Sequence, residues 1–210
     1  MVRLCGAIVL HTEGTSKMTT IALLVGSLRA GSVHRRLAET AIAVAPQDVA
    51  VRLVDGIGEL PLYNEDIDKA LAPEAVARLR RQLSDADAVA LFTPANNGTV
   101  TAALKNAIDW ASRPWGQNAF DHIPAAVIGA SIGQIGTAVG QQSLRAVLSF
   151  CNARQMTAPE AYIRFAPEIF PGDGEVADES TRDFLKGYMA EFRDHVVRVL
   201  TVLPRAAANP

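Results

Sequence analysis

A chain of 210 residues with a formal net charge of −2 fits one α/β domain and excludes a protein that holds nucleic acid through a basic surface. Apolar residues make up 49% of it and aromatics only 6%, so Ala, Val, Leu and Ile carry the burial, which suits helices packed on a parallel sheet. No apolar run reaches the roughly 18 residues of a membrane span. The two cysteines, Cys5 and Cys151, lie far apart without metal-ligand spacing and read as unpaired thiols of a reducing, cytoplasmic compartment.

The opening MVRLCGAIVLH sets an arginine before a short apolar stretch. No cleavage site follows and Glu13 and Lys17 come soon after, so residues 1–18 read as a tail, with Met18 a candidate start of translation. The first strand is the apolar run 21–25, ended by Gly26. A loop leads to a helix over 32–45, with Ser32 as N-cap, Leu37, Ala38, Ala41 and Ile42 at helical spacing, and Pro46 as its stop. Residues 49–54 read as strand two. A long loop containing ELPLYNED (59–66) follows, and Pro73 opens a second helix that runs to 84. Strand three covers 88–92, a turn 95–98, and a third helix 99–110, for which Thr99 is a candidate cap. Strand four is 125–128, followed by the glycine-bearing loop 129–136 and a fourth helix over 137–151. A fifth strand at 161–165, a loop at 171–174 and a last helix over 178–203 complete a domain placed at 19–203, with 204–210 as a second tail. Phe184, Leu185, Tyr188, Met189, Phe192, Val196 and Val199 give that last helix one apolar face.

Strands alternate with helices, and right-handed crossovers between parallel strands make a doubly wound sheet. The expected fold class is α/β, a five-stranded parallel sheet in the order 2-1-3-4-5 with helices on both faces. Ligands in such sheets bind beyond the carboxyl ends of the strands, where the first and third part company. The loops after strands one, three and four are therefore the candidate site.

The first of these, GSLRAGSVH (26–34), joins a strand to a helix start, where backbone N–H groups and the helix dipole favour an anion. Ser27 and Ser32 add hydroxyls, and Arg29 adds a cation able to make paired hydrogen bonds. The loop is neither a P-loop nor a dinucleotide fingerprint. A phosphate site and an ordinary turn with a serine cap remain alternatives on these residues alone. The second loop, TPANNGT (93–99), presents backbone donors and acceptors that suit the pyrimidine edge of a flavin. In the third, glycines allow close approach to a planar ring, or simply make a flexible connection.

Together these segments resemble one family. GSLRAGSVHRRLA looks like the GSLRxxSxNxxLA signature of the NADPH-dependent FMN reductases, which include quinone, chromate and azo-dye reductases. ELPLYNED resembles that family's second loop. FTPANNGTVTAALKNAIDWASRPWG is similar to its TPEYNxSxPGxLKNAIDWxSRP segment, and GASIGQIGTAVGQQSLRAVL to its glycine loop and following helix. EAYIRFAPEIF and DESTRDFLKGYM resemble its last strand and helix. The likeness runs in the family's order over about residues 20–200.

The resemblance implies a flavodoxin-like fold, FMN as cofactor and NADPH or NADH as co-substrate. It implies hydride transfer to flavin N5 and delivery of electrons to a small acceptor such as a quinone, nitro or azo compound. Ser27, Arg29, Ser32, Val33 and His34 would hold the FMN phosphate end. Pro94, Ala95, Asn96, Asn97 and Gly98 would line the isoalloxazine, largely through backbone, and Ser131 would approach from the third loop. It implies no obligatory acid or base. His122 and His195 read as structural or solvated, and Lys105 and Asp109 as packing or interface residues. A homodimer or homotetramer is implied, with Trp110, Arg113 and Trp115 as a candidate contact surface or, alternatively, a core edge. Neither nucleic acid nor a membrane is an expected partner.

The chain departs from the pattern at named places. His34 replaces asparagine, Ala95 and Asn96 replace Glu-Tyr, Thr101 and Ala102 replace Pro-Gly, and Val139 replaces a common arginine. Backbone contacts survive such changes, whereas affinity and substrate preference are expected to shift. Two other readings belong to different classes: a flavodoxin-type electron carrier, against which a net charge near zero weighs, and a flavin-free module that keeps the fold.

Overall fold

A computed structural model describes residues 18–133, 135–166, 169–170 and 176–204. Cys5, the predicted tail before Met18, the loop at 171–174 and the tail after Pro204 lie outside the described residues.

The sheet is built from β1 (Thr19–Val25), β2 (Val49–Leu53), β3 (Ala88–Phe92), β4 (Pro124–Ser131), β5 (Arg154–Gln155) and β6 (Ala161–Arg164). All pairings are parallel and the order is β2-β1-β3-β4-β5, with β6 also on β4. This is the predicted doubly wound order, with one addition. The fifth position is split: β5 pairs with the start of β4 (Pro124↔Arg154) and β6 with its end (Ile128↔Ala161). Pro159 lies in the gap between the halves and has no N–H for a ladder.

The central strands are largely apolar because each is covered on both faces. Along β1, Ile21, Leu23 and Val25 face one core, and Ala22 and Leu24 face the other. The first core lies under α1 (Val33–Ala43) and the long α6 (Glu179–Val202), through Leu37, Ala41, Leu185, Tyr188, Met189, Phe192 and Val196. The second is closed by α3 (Glu74–Ser84), α4 (Ala102–Ala111) and α5 (Ala138–Phe150), through Leu79, Leu83, Leu104, Ile108, Leu144 and Leu148. Phe184, expected on the buried face of the last helix, is exposed and only meets the ring of Tyr188 at 6.0 Å between centroids.

A short helix, α2 (Glu65–Ala70), stands where the sequence reads as loop. Asn64 caps it by accepting from the N–H of Asp66 at 2.9 Å, and three acids fill its first turn. It buries no residue, so no apolar period announces it.

The loop before α2 is tied down from α4. Trp110 is fully buried and its indole N–H donates to the Pro61 carbonyl at 2.7 Å. Asn106 donates to the same carbonyl and accepts from the N–H of Tyr63, both at 2.9 Å. The Tyr63 ring stands edge-on to Trp110, and the Arg80 guanidinium lies over the indole. Trp110 is thus core, the second of its two predicted places, while Trp115 is 83% exposed with Arg113 stacked over it.

Candidate active site

Where β1 and β3 part, the loops after β1, β3 and β4 enclose a cavity of about 650 Å³. The first loop starts at Gly26, whose N–H donates to the Phe92 carbonyl at 2.8 Å. A Cβ at Gly26 would sit 2.8 Å from the Thr101 hydroxyl, so only glycine permits this approach. That hydroxyl donates to the Gly26 carbonyl at 2.7 Å and accepts from the N–H of Leu104 at 3.4 Å. Thr101, not Thr99, is therefore the cap of α4. Residues 99–101 stay extended, because Asn96 and Thr99 form a bridge around the Asn97-Gly98 turn. Both turn residues are left-handed, at φ 52° and 75°, a conformation that asparagine and glycine tolerate.

Ser32 caps α1 as the sequence predicts: its hydroxyl oxygen accepts from the N–H of Arg35 at 3.3 Å. The hydroxyl proton is left for a ligand, and the first-turn amides of Val33 and His34 have no carbonyl of their own helix to bond. The Arg29 guanidinium donates to the Gly31 carbonyl at 2.7 Å, which holds the cation over the loop while the rest of the exposed fork stays available. No carboxylate lines the cavity among the described residues. A helix N-terminus, two hydroxyls and a guanidinium with no opposing acid form an anion site. A terminal phosphate monoester fits that donor set, and the mainly uncharged walls beyond it fit a flat, largely apolar ring system.

Those walls come from the other loops. Pro94, Ala95 and Asn96 follow β3, Ala130 and Ser131 end β4, and Ile132 follows it. Strand four is longer than predicted and takes in residues 129–131, because β6 pairs there with Gly129, Ala130 and Ser131. A Cβ at Gly129 would come within 2.6 Å of the Thr93 carbonyl, so this glycine serves strand packing. The Ser131 hydroxyl accepts from the N–H of Gly133 at 3.1 Å. Phe165 closes one side of the cavity.

His34, in the first turn of α1, turns its side chain inward. It is 7% exposed, and its Nε2 accepts from the N–H of Ala130 at 3.1 Å. Burial, with the Arg29 cation adding to it, lowers its pKa to about 4.

Of the predicted residues, Ser27, Arg29, Ser32, Val33, His34, Pro94, Ala95, Asn96 and Ser131 line the cavity together. Asn97 and Gly98 stand outside its lining, at the tip of the turn. Ile132 and Phe165 join it unpredicted, as does Thr101, which the sequence marks only as a departure from the family pattern. Thr101 had a legible signal, a Ser/Thr cap directly before an apolar helical run. Phe165 had none, since β6 reaches β4 only through the fold. The other polar candidates lie elsewhere: Lys105 pairs with Asp109 at 2.7 Å along α4, His195 meets the Arg154 carbonyl at 2.8 Å, and His122 meets the Arg154 guanidinium at 2.8 Å.

Comparison with known proteins agrees with this geometry. Residues 19–168 match the family model described as NADPH-dependent FMN reductase. The chain is 41% identical over 172 residues to a 2-hydroxy-1,4-benzoquinone reductase of Burkholderia sp, covering 82% of this chain and 93% of that protein. It is 40% identical over 181 residues to a quinone reductase of Pseudomonas putida, covering 86% and 96%. Among solved structures, the flavoenzyme NAD(P)H:(acceptor) oxidoreductase FerB of Paracoccus denitrificans superposes with a TM-score of 0.79 at 41% identity, over 86% of this chain and 98% of that one. The chain belongs to the NADPH-dependent FMN reductase family.

Proposed function

We propose that this protein is an NAD(P)H-dependent, FMN-containing reductase that passes electrons to small acceptors, quinones first among them. The observation that carries the reading is the cavity itself: anion donors at one wall, and uncharged backbone and apolar side chains at the others, at the switch point of the sheet. The acceptor class is supported by the relatives named as quinone reductases.

When bound, FMN supplies the redox chemistry, between a nicotinamide donor and the acceptor. The chain's own residues do the rest. Ser27, Ser32 and the first-turn amides of α1 hold the phosphate, and Arg29 balances its charge. Pro94, Ala95 and Asn96 hold the ring from the second loop and Ser131 from the third, while the Asn97-Gly98 turn shapes the rim. Ile132 and Phe165 exclude water from that side. No side chain of the cavity is placed as an acid or base, so position and electrostatics are the protein's contribution.

The reading includes a cytoplasmic homodimer or homotetramer. Exposed Trp115 and Phe150 flank a second cavity of about 500 Å³ and support a contact between copies there. The buried free thiol of Cys151 suits a reducing compartment. Among the described residues no helix is long and apolar enough to cross a membrane.

An absorbance titration with FMN, then NADPH, then a benzoquinone in one cuvette tests the function. Saturable binding, bleaching by NADPH and recolouring by the quinone are expected. Absence of binding at high FMN would overturn the reading.

A further inference from the structure

We propose that the His34 side chain is a positioning residue of the flavin cavity rather than a phosphate ligand: it fastens the first turn of α1 to the ends of β3 and β4 and so sets the spacing of the three loops. This rests on the flavin reading of the cavity.

The need for it lies in the sheet. Strand β4 overshoots its neighbour. The β3–β4 ladder ends at Phe92↔Ile128, after which only the Thr93 N–H still reaches Ile128 at 2.9 Å. Beyond that point the chain leaves at Pro94, and β4 continues through Gly129, Ala130 and Ser131 with β6 on one flank only. On the β3 flank, the buried N–H of Ala130 has lost its strand partner, and such a group is costly to leave unbonded. The His34 ring takes that place. A backbone amide can only donate, so Nε2 is the acceptor and carries no proton. The ring's proton is then on Nδ1, and the Thr93 backbone lies near enough to act on the ring. Burial keeps the ring neutral, with a pKa near 4.

One rigid ring therefore touches the residue that opens the second loop and the residue beside Ser131 in the third, from a helix whose first turn carries the first. With its ring buried and Nε2 committed to a backbone N–H, the side chain is held by β4 rather than by a phosphate. The main-chain N–H of His34 remains free to serve there.

The two roles separate in a comparison of FMN with riboflavin, which lacks the phosphate. Arg29→Ala should weaken FMN and spare riboflavin. His34→Phe, which keeps a ring but no acceptor, should weaken both by about tenfold and leave their ratio unchanged. His34→Gln, whose Oε1 can accept from Ala130, should recover both to within about threefold. Nitrogen NMR of the flavin-free protein should find Nε2 unprotonated, and Ala130 should be protected from amide exchange. A loss confined to FMN, unchanged affinity in His34→Phe, or a protonated Nε2 would overturn the positioning role and leave the flavin reading standing. Failure of the unaltered protein to bind either flavin would overturn both.

Discussion

Two loops that follow neighbouring strands use their polar groups in opposite ways. The loop after β2, around Pro61 and Tyr63, has its backbone bonded by Asn106 and Trp110 of α4, with a buried indole beneath it. The loop after β1 also packs against α4, through the Thr101 hydroxyl on Gly26. Past that single tie it turns outward, with Ser27 half-buried, Arg29 exposed and the α1 amides unspent. Both loops carry stretches by which the chain resembles its family. Of the two, only the loop after β1 lines the cavity at the strand ends. The LKNAIDW and ELPLYNED segments are joined by structural bonds, and GSLRAGS carries the proposed phosphate end of the site.

Breaking the loop after β2 should cost folding, and breaking the loop after β1 should cost binding. Trp110→Ala removes a fully buried indole and its hydrogen bond, and should destabilise the protein by about 3–5 kcal/mol in urea unfolding. Acid should act nearly as strongly through the clamp. His34 is held at about 4 in the folded chain against 6.5 for the free side chain, so the unfolded state takes up the proton first. Its contribution is complete above pH 6.5 and is lost as the pH falls towards 4, at about 1.4 kcal/mol per pH unit. Unfolding midpoints from pH 7 to 4 should show that slope, and His34→Phe should flatten it.

In the binding loop, Arg29→Ala should weaken FMN by about 1.5–3 kcal/mol while leaving the unfolding midpoint almost unmoved. An unchanged dissociation constant would remove Arg29 from the site. Thr101→Val tests the tie between the loop after β1 and α4, and should cost about 1–2 kcal/mol of stability by leaving the Gly26 carbonyl unbonded. The smallest effect belongs to the rim. Asn96→Tyr restores an aromatic where the family pattern has one, and should tighten flavin by about 0.5–1.5 kcal/mol. Equal affinity would mean that backbone contacts set the ring's binding.

Much of this arrangement was legible in the chain. The apolar runs of β1 and β3 match their predicted spans closely, because strands buried on both faces leave unbroken hydrophobic stretches. The Ser32 cap is readable because its signal is local, a hydroxyl directly before a helix. What escaped was non-local or weak. Helix α2 buries nothing and so has no periodicity. The start of α4 was misplaced because two threonines compete as caps, and the choice falls to a contact with Gly26, distant in sequence. Strand β4 was read short because its last residues are defined by pairing with β6.

Composition, periodicity and turn chemistry thus determined the layer order and which loops to examine, and the quoted motifs carried the family likeness, since each depends on residues a few places apart. The tertiary structure alone decided that Trp110 is core, that Thr101 joins two loops, and that His34 faces inward to an amide of β4. A side chain's partner across the fold is set by where strands end, and His34 and Ala130 meet only because β4 outruns β3.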